Sequence, residues 1–227
     1  MKFSIVVVTY NRRYMLEDCL KYIRISLKYL PSYEIFVVNN NSTDSTRLLL
    51  NEYAKEMPNF NVITMDQNMR AIARNKALEK AQGDYIVQID DDTLVKSNWV
   101  EEVMPHFTEG VGAVGPLGMV FHNWHEFFTV VHMPPGSYVD GLVGYFWVFK
   151  NEGWRYDESF QIYMEEQDLQ LKMRYDKKYR FKACHMSAAK HLQAGQKNME
   201  LEVRNSKKMV DKWQPVTKEL NFEYAKI

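Results

Sequence analysis

Three consecutive carboxylates, Asp90-Asp91-Asp92, follow the apolar run Tyr85 to Ile89. Charges of one sign this close repel one another unless something cationic offsets them, and a divalent ion would do so. Hard Mg²⁺ or Mn²⁺ takes oxygen ligands, commonly one or two carboxylates plus substrate phosphates, so the cluster suits a metal held against a diphosphate. For an aspartate run standing alone, a solvated turn or the N-cap of the next helix is the plainer reading.

Other polar groups gather in the same way. Thr9-Tyr10-Asn11-Arg12 follows Val7-Val8, and Asn39 to Asp44 follows Val37-Val38. Asn68, Arg70, Arg74 and Asn75 precede the aspartates, and Glu165-Glu166-Gln167-Asp168 supplies further carboxylates, the residue type a general base requires. No G-x-G-x-x-G turn follows the first apolar run, which argues against a dinucleotide-binding domain. Nor is there a lysine-bearing phosphate loop between Thr9 and Arg13, which argues against a nucleotidyltransferase.

The elements carrying these groups alternate. Phe3 to Val8 reads as a strand, and Leu16, Cys19, Leu20, Ile23, Leu27 and Leu30 then recur at helical spacing until Pro31. Glu34 to Val38 predicts a second strand, Leu49, Tyr53 and Met57 a second helix, and Asn61 to Met65 a third strand. An alanine-rich helix over Ala71 to Ala81 leads to a fourth strand, Tyr85 to Ile89, and Ser97 begins a helix carrying Trp99, Val103 and Phe107. Continuous apolar strands alternating with helices imply an α/β fold, with a mostly parallel central sheet flanked by helices and ligands bound beyond the strands' carboxyl ends. The aromatic, proline-containing stretch from Gly115 to Gly144 reads as loops. A strand over Leu142 to Phe149, a helix around Tyr163 to Tyr175, a strand around Tyr179 to Ala183 and a peripheral helical tail from Asn205 complete the chain.

At 227 residues, with 46% hydrophobic residues, the chain is long enough for one substantial core and short for two. The expected organisation is a single domain over 1–227, with a first half at 1–115, a second half at 116–204 and a peripheral tail at 205–227. Lys plus Arg and Asp plus Glu both number 29, so no net field attracts nucleic acid or an anionic membrane. The two cysteines, Cys19 and Cys184, read as reduced, and neither a signal segment nor a spanning helix is recognised. A soluble, cytoplasmic protein is expected.

The ordered set of motifs resembles the family 2 glycosyltransferases, which have a GT-A fold: a Rossmann-like nucleotide-binding half joined to an acceptor-binding half. The resemblance runs from Thr9-Tyr10-Asn11-Arg12 through Asn39 to Asp44, Asn68 to Asn75 and the aspartate run. It continues through Gly153-Trp154-Arg155-Tyr156-Asp157-Glu158-Ser159-Phe160 to Met164-Glu165-Glu166-Gln167-Asp168-Leu169, and so covers most of the chain. It implies transfer of a sugar from a nucleotide-diphosphate sugar, UDP by preference, to a glycan or other hydroxyl acceptor, with inversion and with Mn²⁺ or Mg²⁺. Thr9, Tyr10, Asn11 and Arg12 would line the nucleoside pocket, joined by Asn39, at the family's base-reading aspartate, and by Asn41. Arg70 or Arg74 would reach the nucleotide or diphosphate. Asp90 would face the ribose or the metal, Asp92 the metal, and Asp91 would stand beside them in the nucleotide-sugar set. His191 would complete the metal site, with His185 the weaker choice. The base would come from Glu166, Asp168 or Glu165, in that order. A second reading, a nucleotide-sugar-binding module without turnover, draws on two departures from the family pattern, Asn39 and Glu166.

Overall fold

The computed structural model describes residues 1–160, 163–192 and 199–223. Its first part is a strand-helix alternation: β1 (Phe3–Thr9), α1 (Arg13–Ser26), β2 (Tyr33–Asn39), α2 (Thr46–Glu56), β3 (Phe60–Thr64), α3 (Arg70–Leu78) and β4 (Tyr85–Asp90). After the short β5 (Thr93–Val95) and α4 (Trp99–Val103) come β6 (Val111–Gly115), β7 (Gly118–Asn123), β8 (Phe127–Val131), β9 (Tyr138–Val139), β10 (Gly141–Leu142) and β11 (Phe146–Lys150). The described chain ends with α5 (Glu165–Lys177), β12 (Arg180–Ala183), β13 (Ala189–His191), α6 (Met199–Trp213) and a 3₁₀ segment, Gln214–Leu220.

The central sheet has the order β3-β2-β1-β4-β11-β6-β12-β9. Strands β3, β2, β1 and β4 run parallel, and β11 enters antiparallel between β4 and β6. Register does the functional work here. Thr9 pairs with Asn39 and Val8 with Asp90, so three polar strand ends lie side by side at one sheet edge. A second, two-stranded ladder of β13 on β5 sets His191 opposite Thr93, directly after Asp92.

Alternation along the strands separates two cores. Phe3, Ile5 and Val7 face one side with Leu16, Leu20, Ile23 and Trp99, while Val6, Val38 and Ile86 face the other with Ala73, Ala77, Leu169 and Met173. The small residues of α3 let that helix lie close to the sheet, which matters because α3 carries Arg74 into the interior.

One expectation changes. The aromatic stretch from Gly115 to Gly144 is not all loop: β7 and β8 form a hairpin that joins β10 in a three-stranded sheet. Its Phe121 and Trp124 are buried against Met209 and Trp213 of α6. α6 and Leu220 close that third core, with residues 224–227 outside the described part. Trp147 and Trp154 are buried in the second core. No helix among the described residues is long and apolar enough to cross a membrane.

At the sheet's opposite edge, buried Glu34 ties β1, β2 and the turn before β4 together. Its carboxylate accepts from Lys2 Nζ at 2.7 Å, Ser4 Oγ at 2.6 Å and the Gln82 amide at 2.6 Å. Burial opposes its charge, but these donors prevail and lower its pKa. A lowered carboxylate stabilises the fold above its unfolded pKa, about 4.3, and loses that effect as pH falls through the folded value. Glu34→Gln is therefore expected to cost about 1.5–3 kcal/mol at pH 7 and far less at pH 3, measured by urea unfolding at both values. A deficit of equal size at both would contradict this account.

Candidate active site

The polar strand ends open into a cavity of about 340 Å³ lined by Thr9, Tyr10, Arg12, Asn40, Asn68, Arg70, Arg74, Asp90 and Asp91. Its loops are tied to one another by side chains. Asn11, at φ 53°, accepts from the Thr43 amide at 2.7 Å, and Ser42 Oγ accepts from the Asn11 amide at 3.0 Å. Asn11 therefore fastens the loop after β1 to the loop after β2 and is not among the residues lining the cavity. Asn41, at φ 67°, is exposed and likewise serves the turn.

Asn39 is buried, and its side-chain oxygen accepts from the Ser42 amide at 2.9 Å, closing a local turn. The next residue, Asn40, lies on the cavity wall: it donates to Asn68 Oδ1 at 2.7 Å and accepts from the Met69 amide at 2.9 Å. Sequence reading placed Asn40 and Asn68 in the polar segments but gave neither a role. The signal was present, since Asn40 directly follows the strand end, but in a strand buried on both faces periodicity does not say which of two adjacent asparagines turns outward.

Asp90, Asp92 and His191 each bring one ligand atom to a common point, all within 4.8 Å of one another. Two carboxylate oxygens and an imidazole nitrogen, leaving room for phosphate oxygens, fit Mn²⁺ or Mg²⁺. The protein's own cations already touch this cluster. Arg12 Nη1 lies 3.1 Å from Asp91 Oδ1 and 2.9 Å from Asp92 Oδ2, and His191 Nε2 lies 3.0 Å from Asp92 Oδ1. Burial opposes the charge on Asp92, but His191 and Arg12 lower its pKa, while the bond to Asp92 raises that of His191. Asp91 is driven up to about 6 by burial, against the pull of Thr9 and Arg12. His185 turns elsewhere, its Nδ1 bonded to Ser187.

Beneath the cavity lies an ion cluster around Arg74, whose side chain is only 3% exposed. Its Nη1 meets Glu165 Oε1 at 2.7 Å, while Nη2 meets Glu166 Oε1 at 2.7 Å and Asp90 Oδ1 at 3.4 Å. Tyr156 covers the guanidinium with its ring, 5.4 Å away. Burial works against the Arg74 charge, but Glu166 and Glu165 prevail and its pKa is raised. Glu165 is itself raised, by burial first and then by Glu166. Both arginines of α3 line the cavity, and Arg74 is at the same time engaged by three carboxylates.

The acidic residues at the start of α5 divide by position. Met164, in the left-handed region at φ 67°, starts the helix so that Glu165 and Glu166 both reach the Arg74 fork. Gly144 makes room for the second of them, since a Cβ there would stand 2.8 Å from Glu166 Cγ and Cδ. Asp168 is not brought to this cleft. It accepts from Trp213 Nε1 at 2.7 Å, pairs with Lys212 at 2.8 Å and so anchors α6.

Removing Arg74 would strand Glu165 in the interior. Arg74→Met is expected to cost about 3–5 kcal/mol at pH 7. A buried carboxylate with a raised folded pKa destabilises only above its unfolded pKa, so the loss should shrink at pH 4.5. Adding Glu165→Gln should recover part of it at pH 7, as urea unfolding of the single and double variants would register. Equal losses with and without the second change would contradict the pairing.

The family model described as glycosyl transferase family 2 matches residues 4–184. A Bacillus subtilis (strain 168) glycosyltransferase, provisionally named for teichuronic acid biosynthesis, is 34% identical over 107 residues, which are 47% of this chain and 42% of that protein. The chain thus matches less than half the length of that curated relative. Among solved structures, a mannosyltransferase from Pyrobaculum calidifontis, in complex with GDP-Man and Mn²⁺, is similar with a TM-score of 0.69 at 18% identity, over 95% of this chain and 64% of that one. The S. aureus TarS 1-349 complex with UDP-GlcNAc is similar at 0.64 and 17% identity, over 86% and 60%. Both share the GT-A fold seen here. With the family model matched from β1 through β12, the chain belongs to glycosyl transferase family 2.

Proposed function

We propose that the chain transfers a sugar, with inversion, from a nucleoside-diphosphate sugar of the UDP class to a hydroxyl of a glycan or other acceptor. The observation that carries this reading is the convergence of Asp90, Asp92 and His191 on one point beside the Arg74–Glu166 pair. Complexes of similar fold hold UDP-GlcNAc, or GDP-Man with Mn²⁺.

On this reading residues 1–115 form the donor side. Tyr10, 42% exposed at the cavity mouth, would stack on the base, and the Asn40–Asn68 pair would meet its polar edge. Arg70 would take the diphosphate. Asp90, Asp92 and His191 would hold Mn²⁺ or Mg²⁺, which when bound neutralises charge gathering on the departing diphosphate. The acceptor side, 116–204, would contribute Glu166 as the general base that removes the acceptor proton. Glu165 and Arg74 would hold that carboxylate in place, and Asp168 would act only through the packing of α6.

The test is release of nucleoside diphosphate from a panel of UDP- and GDP-sugars with Mn²⁺, Mg²⁺ or EDTA. Release should require the metal and fall at least about 100-fold, or 2.7 kcal/mol, in Asp92→Asn. Glu166→Gln should lower turnover by about 10²–10⁴-fold with little change in donor KM. Binding of donors without release, or release indifferent to EDTA, would overturn the proposal. Gly144→Ala should push the Glu166 carboxylate aside and reduce kcat by up to about 100-fold, again with donor KM retained. Unchanged kcat in that variant would show that Glu166 does not need its present seat.

A further inference from the structure

We infer that Tyr145 is a positioning residue for the metal site, holding His191 by its ring and the end of β4 by its backbone carbonyl. The inference rests on the proposed metal role of Asp90, Asp92 and His191. The Tyr145 and His191 rings stack nearly parallel, with centroids 5.0 Å apart and planes 7° from each other. The Tyr145 carbonyl accepts from the Asp90 amide at 2.9 Å and from Thr93 Oγ1 at 3.3 Å. One residue thus touches the segments on either side of Asp92 and the imidazole that faces it.

Tyr145 has the rigidity this role needs. It is 5% exposed, sits in the first core with Cys184, Ala188 and Ala189, and immediately precedes β11, whose Phe146 pairs with Ile89 of β4. His191 lacks that rigidity by itself. It ends the three-residue β13 with its side chain 32% exposed, and an imidazole so placed would sample several rotamers. The stacked phenol covers one face of the imidazole while Nε2 stays directed at Asp92. Metal-binding histidines elsewhere are oriented by a hydrogen bond to the second ring nitrogen. Here an aromatic face performs that service, so ordering of the ligand precedes arrival of the ion.

The experiment measures Mn²⁺ binding to the full chain from the electron paramagnetic resonance signal of free Mn²⁺, alone and with a fixed concentration of UDP. Tyr145→Phe, which keeps the ring, should bind as the parent does. Tyr145→Leu should bind about 10–100-fold more weakly, approaching His191→Ala, with an unchanged circular dichroism spectrum. A leucine variant that binds Mn²⁺ like the parent, while His191→Ala does not, would overturn the role of Tyr145 and leave the metal reading standing. A parent that binds no Mn²⁺ would remove both.

A second measurement does not depend on the leucine variant folding. In the parent, labelled with ¹³C-histidine and assigned with His191→Gln, the ring protons of His191 should be shifted upfield by the stacked phenol, and equally so in Tyr145→Phe. Ordinary imidazole shifts would show that the rings do not stack in solution and would sink the inference.

Discussion

A single buried guanidinium joins the two sides of the cleft. Arg74 comes from α3, beneath the donor side, and its fork reaches Asp90 on β4 and both Glu165 and Glu166 on α5. A charge this deep persists only when paired, and the pairing here needs one cation with several donors in a fixed plane, which lysine does not offer. The same group that steadies the metal-facing aspartate therefore sets the carboxylate proposed as base. On the proposed reading, the relative placement of leaving group and base would depend on this one side chain as well as on the loops above.

The parallel half of the fold was legible because burial on both faces leaves β-branched runs such as Phe3 to Thr9, punctuated by polar strand ends. Those ends also pointed to the cavity, which Arg12 and Asp90 line. The antiparallel half was less readable. In β7 and β8 the alternation is blurred, since Phe127 and Phe128 are both half-buried and the hairpin carries a register shift near Phe121 to Asn123. Aromatic residues in adjacent positions then look like loop packing although the backbone is extended.

Within the site, the misplacements were of one residue or one turn. Asn39 and Asn40 are both buried and differ in whether the side chain closes a turn or lines the cavity, a choice made by the backbone at Asn41. Asp168 lies within one helical turn of Glu165, so spacing alone gives both to one face. The left-handed Met164 starts α5 at Glu165, and there Arg74 draws Glu165 and Glu166 inward while Lys212 and Trp213 claim Asp168. Such partners come from distant segments, and no local pattern encodes them.

The aspartate run itself resolves into a balanced set. Asp90 leans on Arg74, Asp91 and Asp92 on Arg12, and Asp92 also on His191, so two guanidinium cations and an imidazole from separate segments meet carboxylates from one turn. The repulsion expected of three adjacent aspartates is thus already offset within the chain. Asp90, Asp92 and His191 would hold a divalent ion with the imidazole neutral, and Asp92 would then be shared less with the Arg12 guanidinium. Arg12 has Asp91 as a second partner at 3.1 Å and lines the cavity, where a guanidinium suits an anionic ligand. The arrangement keeps the carboxylates oriented before a ligand arrives, which is the condition for electrostatic stabilisation without reorganisation at the moment of reaction.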